Sequence, residues 1–319
     1  MSQENSLNNT PLIVVTGPTA SGKTSLATQL AYQMEGEVIS ADSRQVFRQM
    51  DIGTGKDLKD FVVQGTSIPY HLIDICDPGD DFNLYLFQKL YTEAVHDIIE
   101  RKKNPILCGG TGLYIEAVTL KGYEDVWVPK NSQLREKFEG STLEEMLEYY
   151  KSLLDADQLK DVDGIAHRQR SLMRAIEIEY FNKYNVETDI HPVNIPQLET
   201  YNFALNINRD TRWSKIEKRL DERLKEGMIE EVDSLLKQLD AEKLKSYGLE
   251  YRFVTSYLLN EISYDDMRNE LLKSIQQFSK RQMTWFRRME KKTKLHWIPV
   301  EWETNKKIDF VLNTINSNQ

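Results

Sequence analysis

Apolar positions fall into two textures along the chain. Residues 12–16 (LIVVT) form a short β-branched run closed by Gly17 and Pro18, which predicts a buried parallel strand. The spacing then predicts a helix over 23–34 and a second strand over 37–41 (EVISA). Two further apolar runs, 71–75 (HLIDI) and 105–109 (PILCG), predict strands and bracket a helical stretch over 84–102. Strand and helix alternating at this spacing is the pattern of a parallel sheet covered by helices on both faces. From 125 to 198 no strand is evident, and helical segments at 141–154 and 170–184 are separated by polar turns, which predicts a helical insertion. Alternation resumes over 200–207 (TYNFALNI) and returns the chain to the sheet. Helices are expected over 212–238, 250–260 and 264–289, and a last strand over 295–300 (LHWIPV). The fold expected is α/β, a P-loop NTPase-like parallel sheet flanked by helices. Residues 1–124 and 199–319 form its core with C-terminal helices, and 125–198 form a helical insertion domain.

Composition narrows the class. The 319 residues are 40% hydrophobic and 29% charged, as in globular proteins, and no apolar run reaches the ~18 residues of a membrane span. The N-terminus, MSQENSLNNT, lacks the basic and apolar regions of a secretion signal and reads as a frayed tail. Cys76 and Cys108 are too few and too far apart for a disulfide scaffold or a zinc site, so the cytoplasm is the expected compartment. A net charge of −9 argues mildly against nucleic-acid binding, although local patches decide such binding more than the total. Two stretches are basic against that background. One holds Arg209, Arg212, Lys215, Lys218 and Arg219; the other holds Lys280, Arg281, Arg287, Arg288, Lys291, Lys292 and Lys294. Solvated helix faces account for such runs equally well.

The strongest chemical signal is Gly17-Pro18-Thr19-Ala20-Ser21-Gly22-Lys23-Thr24, a full G-x-x-x-x-G-K-[ST] pattern between a predicted strand and a predicted helix. Its glycines let backbone N–H groups close around phosphate oxygens. Lys23 adds a point charge, Thr24 can bind Mg2+ through its hydroxyl, and the helix N-terminus favours the anion. Kinases, NTPases and other transferases share this loop, so by itself it names no reaction.

Two further segments leave predicted strand ends, which in open α/β sheets face the ligand crevice. Ala41-Asp42-Ser43-Arg44-Gln45 places a carboxylate there, a candidate metal ligand or general base; an N-cap is the plain alternative. Gly109-Gly110-Thr111-Gly112 allows close approach of a ligand and supplies the Thr111 hydroxyl, although a tight turn needs the same glycines.

Five blocks occur in order: GPTASGKT, ISADSRQVFRQMDIGTGK (39–56), HLIDICDP (71–78), PILCGGTGLY (105–114) and KRQMTWFRR (280–288). Together they resemble the tRNA dimethylallyltransferase (isopentenyltransferase) family over nearly the whole chain, most weakly in the insertion. The resemblance implies transfer of a dimethylallyl group from dimethylallyl diphosphate to N6 of the adenosine 3′-adjacent to the anticodon in tRNA. Mg2+ is the implied cofactor, and a monomer acting on the anticodon stem-loop, away from membranes, is expected. The loop Gly17–Thr24 then holds pyrophosphate as leaving group, and Arg219 lies where the family places arginines near the diphosphate. One of those family positions is Lys215 here. Asp42 matches the family's general base, and Thr111 the hydroxyl that positions substrate. Asp42, Ser43, Arg44, Gln45, Thr111, Arg135, Arg281 and Gln282 are the implied tRNA contacts; an ordinary surface arginine or an ion pair within the helical layer explains Arg135 and Arg281 as well.

Two segments depart from the family pattern. The Asn-Asp-Pro type turn before the helix Arg174-Ala175-Ile176-Glu177-Ile178 is replaced by Ala166-His167-Arg168-Gln169-Arg170, where His167 is a candidate base-stacking residue. The Ile-Gly-Tyr segment is replaced by Tyr247-Gly248-Leu249-Glu250-Tyr251-Arg252. Both lie where RNA contacts are expected, so they bear on tRNA choice more than on the reaction. Prenylation of free adenine nucleotides, phosphoryl transfer and RNA binding without turnover are the competing readings.

Overall fold

The computed structural model describes residues 10–155, 157–159 and 168–317; His167 and the N-terminal tail of the sequence reading lie outside them. Strand β1 (Leu12–Thr16) is followed by helix α1 (Lys23–Met34) and β2 (Gly36–Ser40). A hairpin of β3 (Val62–Val63) and β4 (Thr66–Ser67) precedes β5 (Tyr70–His71), α2 (Leu84–Glu100), β6 (Asn104–Gly109) and α3 (Gly112–Thr119). Helices α4 (Ser132–Lys137), α5 (Leu143–Leu153) and α6 (Gln169–Tyr184) come next, then β7 (Thr200–Asn206). The remainder is α7 (Arg209–Lys225), α8 (Met228–Leu236), α9 (Ala241–Lys245), α10 (Leu249–Leu258), α11 (Tyr264–Met289), β8 (Leu295–Pro299) and α12 (Thr304–Asn316).

Six strands form one sheet in the order β5-β2-β6-β1-β7-β8, and every pairing in it is parallel. The period of two along β1 explains the layers. Ile13 and Val15 face one cluster with Leu26 and Leu30 of α1 and Ile308 and Val311 of α12. Leu12 and Val14 face the other, with Phe87, Tyr91 and Val95 of α2 and Ile115 of α3. Both faces are therefore covered, as a parallel sheet requires. A third cluster joins α7, α8, α10 and α11 to Val46, Phe47 and Met50, so the C-terminal helices pack on the segment after β2.

Two expectations need correction. The run 71–75 gives only the short β5, because Leu72 and Asp74 take left-handed φ values of 62° and 56° and turn the chain out of the sheet. The turn lets the amides of Ile75 and Cys76 donate to the Val46 carbonyl and brings Asp74 to the buried ammonium of Lys56. The single helix over 212–238 is two, parted at Gly227 with φ 106°. The glycine-rich exit of β6 opens directly into α3.

The chain divides into two compact units, Lys121–Asn194 and the remainder. Within the smaller unit the buried carboxylate of Glu177, on α6, is the hub. It accepts from Nε of Arg135 at 2.7 Å, from the Asn131 amide at 3.0 Å and from Nη1 of Arg174 at 3.2 Å. Arg174 in turn donates to the Val128 carbonyl at 2.6 Å, closing the loop before α4 over the helix pair. Burial pushes the Glu177 carboxyl up, but Arg135, the Asn131 amide and Arg174 outweigh it and hold it below its ordinary value of 4.5. A depressed carboxyl stabilises the fold above its unfolded pKa and loses that contribution as pH falls through the folded value. Glu177→Gln is therefore expected to cost about 2 kcal/mol at pH 7. The gap to the native chain should close as pH falls below about 4.5. Urea titrations followed by fluorescence of Trp127, the one tryptophan of this unit, measure both.

Candidate active site

β1 runs into the loop Gly17–Thr24, where Ala20 and Gly22 take left-handed φ values of 62° and 84° on either side of Ser21. Alternating handedness turns successive N–H groups toward one point, the geometry of an anion nest, and α1 adds its N-terminal dipole. The buried Ser21 hydroxyl has no hydrogen-bond partner among the described residues, so the loop holds polar capacity that they do not use. Burial pulls the Lys23 ammonium below its usual range and the nearby Arg219 adds to that pull, against Asp42 and Asp57. A bound anion would relieve the strain on that charge.

The ends of β2 and β6 meet beside this loop. A Cβ on Gly109 would stand 2.2 Å from the Ala41 carbonyl, so only glycine lets the two strand exits close together. The Thr111 amide donates to the Ala41 carbonyl at 3.3 Å, and Thr111 Oγ1 accepts from the Ser43 amide at 3.4 Å. Asp42 accepts from the Arg44 amide at 2.9 Å, which fixes its carboxylate at the turn.

Gln282 of α11 joins the two loops. Its Oε1 accepts from the Thr19 amide at 2.9 Å and its Nε2 donates to the Gly110 carbonyl at 2.9 Å. With 7% of its surface exposed, both ends of its amide are taken up inside the protein. One helical turn on, Trp285 packs where any side chain on Gly112 would be, its Cδ1 lying 2.2 Å from that glycine's virtual Cβ. The segment after β2 closes another side: Gln45 Nε2 donates to the Gly55 carbonyl at 3.1 Å, and Arg219 of α7 pairs with Asp57 at 2.5 Å. The Glu231 carboxylate holds this segment by accepting from the amides of Asp51, Ile52 and Gly53 at 2.7–3.0 Å and from the Tyr251 hydroxyl at 2.9 Å.

These elements enclose a cavity of about 650 Å³. Its wall includes Thr19, Ala20, Gly22, Lys23 and Thr24 of the loop, with Asp42, Ser43, Arg44, Gln45, Thr111, Arg219, Arg281 and Gln282. Gly17, Pro18 and Ser21 shape the loop without lining it. Arg135 belongs to the smaller unit, bound to Glu177, and is not among the lining residues. Sequence reasoning had no role for Arg223, Phe278 and Trp285 and named Glu250 only within the departing segment 247–252; all four also line the cavity. Arg223 follows Arg219 by four residues and Trp285 follows Gln282 by three, so helical spacing from recognised positions would have found both.

The chain carries the matching signatures over most of its length: residues 45–289 match the family described as IPP transferase, and 10–74 the one described as isopentenyl transferase. The protein is a member of the IPP transferase family. It is accordingly an enzyme. It is 46% identical over 308 residues to tRNA dimethylallyltransferase 1 of Parabacteroides distasonis, covering 96% of this chain and 98% of that relative. It is 46% identical over 309 residues to tRNA dimethylallyltransferase 2 of Porphyromonas gingivalis, covering 96% and 100%. The solved tRNA isopentenylpyrophosphate transferase of Bacillus halodurans superposes with a TM-score of 0.68 at 28% identity, over 97% of this chain and 96% of that one. A eukaryotic dimethylallyltransferase acting on tRNA shares the fold, with a TM-score of 0.75 at 22% identity over 97% and 80%.

IPP transferase membership implies a divalent metal, and the donor set suits Mg2+. This ion keeps most of its waters and takes one or two protein oxygens beside phosphate. The Thr24 hydroxyl on the cavity wall is of that kind. Among the described residues no group of three or more His, Cys, Asp or Glu forms a protein-only metal cage, which Mg2+ in this mode does not need.

Replacing Gln282 by Leu keeps its bulk but orphans the Thr19 amide and the Gly110 carbonyl. The expected cost is about 2 kcal/mol, with pyrophosphate affinity falling alongside because the loop loses its backing. Thermal unfolding and titration calorimetry with Mg2+-pyrophosphate read the two effects.

Proposed function

We propose that this enzyme transfers the dimethylallyl group of dimethylallyl diphosphate to N6 of the adenosine 3′-adjacent to the anticodon in tRNA. The observation that carries this reading is one cavity walled by an anion-binding loop and a carboxylate on opposing strand exits, with Thr111 between them. Its volume of about 650 Å³ suits a small prenyl diphosphate together with one extruded base.

The N6 lone pair attacks the allylic carbon while the bond from that carbon to the diphosphate oxygen breaks. Pyrophosphate leaves into the loop, where backbone amides, Lys23 and Arg219 offset its charge. Mg2+, held through Thr24 and the diphosphate oxygens, would add to that stabilisation. Asp42 takes the proton that N6 sheds, and Thr111 holds the base edge and the Ser43 turn in place. Arg44 and Arg281 are exposed on the rim, and the Arg281 guanidinium lies 5.8 Å from the half-exposed Phe278 ring. Such cation and aromatic pairs grip an unstacked nucleotide. Gln282 contributes by fixing the wall against which the base lies. We assign 125–198 to the tRNA, with Arg135 as its contact, and take the enzyme to act as a cytoplasmic monomer.

The test is a prenylation assay with Mg2+, dimethylallyl diphosphate and unmodified tRNAs bearing adenosine beside the anticodon, read by nucleoside mass. A gain of one dimethylallyl group at that adenosine supports the reading. No gain on any such tRNA, or preferential modification of free AMP in competition, overturns it. Asp42→Asn is expected to lower kcat by about 10²–10⁴, the range for loss of a general base, with little change in pyrophosphate affinity. Full activity in that variant removes Asp42 as the base.

A further inference from the structure

Arg223 is a charged cavity residue for which the reaction above gives no role. It lies one helical turn after Arg219 on α7, and both side chains reach the same cavity. Their surroundings differ. Arg219 is matched by Asp57 at 2.5 Å, whereas no carboxylate lies within ion-pair distance of Arg223 among the described residues. Its Nη2 is buried and finds no acceptor among the described residues. A buried guanidinium N–H left unmade is costly, so a fold that retains one holds it for a ligand or for strain.

Gly55 shows how close the two guanidiniums come. Its φ is 68°, and a Cβ there would stand 1.7 Å from Nη2 of Arg223 and 2.7 Å from Nη2 of Arg219. Two like charges thus converge on one point of backbone beside the cavity. Burial and the charge of Arg219 together pull the Arg223 pKa down to about 10. Glu250, the nearest attractive charge, is itself pushed toward its neutral form by burial. An anion between the guanidiniums would satisfy the orphaned N–H and relieve the repulsion at once. Arginine suits a phosphate there, because its planar fork donates two parallel hydrogen bonds. Arg219 is also the cation that Lys23 feels, which places the pair along the cavity from the loop rather than apart from it.

We propose that Arg223, paired with Arg219, is a second ligand for the diphosphate, receiving the phosphate that the loop Gly17–Thr24 does not enclose. This rests on the donor reading above and extends it: the loop recognises a phosphate, and the arginine pair requires a second one beside it. The site would then discriminate a diphosphate from a monophosphate by geometry as well as by charge.

The experiment is calorimetric titration of the full chain, with Mg2+, using inorganic pyrophosphate and inorganic phosphate as probes. Arg223→Met is expected to weaken pyrophosphate by about tenfold and phosphate by less than about threefold, with the donor KM rising in step and kcat falling less. Arg223→Lys, which keeps the charge and loses the fork, should fall between and carries the test should the Met variant unfold. Pyrophosphate affinity equal to the native chain in both variants, or in Arg223→Lys alone if the Met variant unfolds, overturns the assignment. So does an equal loss for both anions, which would mark a general field. A native chain that binds no pyrophosphate overturns the donor reading itself, and the two failures are thereby told apart.

Discussion

Two hydrogen bonds from one side-chain amide hold the catalytic end of the sheet together. Gln282 takes the Thr19 N–H and the Gly110 carbonyl, each at 2.9 Å, and so fixes the spacing between the phosphate-binding loop and the exit of β6. Neither loop can satisfy these groups within itself. The distance between the loop and Thr111 therefore depends on where α11 docks. Helix packing sets that docking: Phe286 and Met289 of α11 are fully buried, and the buried Glu116 of α3 faces Arg288 and Lys292.

The charges around the cavity follow a related logic. Lys23, Arg219 and Arg223 stand on one side and Asp42, Asp57 and Glu250 among them, yet few are fully paired. Burial pulls the pKa of Lys23 and Arg223 down and pushes that of Glu250 up, so the charged form of each is less favoured here than in water. Sites that must receive a highly charged ligand and release it again are built this way, with preorganised groups left short of partners until the ligand arrives.

Most of the framework was legible because period decides it. β1, β2, β6 and β7 are short apolar runs between turn residues, and α1, α2 and α11 fall within a few residues of their expected ends. What failed was local: Gly112 starts α3, and it is a glycine because Trp285 occupies the space a side chain there would need, a partner far along the chain that no local pattern reveals. Left-handed Leu72 and Asp74 could not be read from an apolar run. In the cavity the loop, Asp42, Thr111, Arg219 and Gln282 stood out by pattern and resemblance, and they line one wall. Arg223 and Glu250 did not, because their significance comes from neighbours far along the chain rather than from any spacing of their own.

The clamp on the segment after β2 has a temporal consequence. Glu231 binds the amides of Asp51, Ile52 and Gly53 across a separation of about 180 residues. While the chain is being made, the loop Gly17–Thr24 emerges early, but the segment opposite it lacks the Glu231 carboxylate until α8 has left the ribosome. A nascent chain can thus own an anion nest before the wall of its pocket is fully held, and a product truncated before Glu231 would lack that clamp.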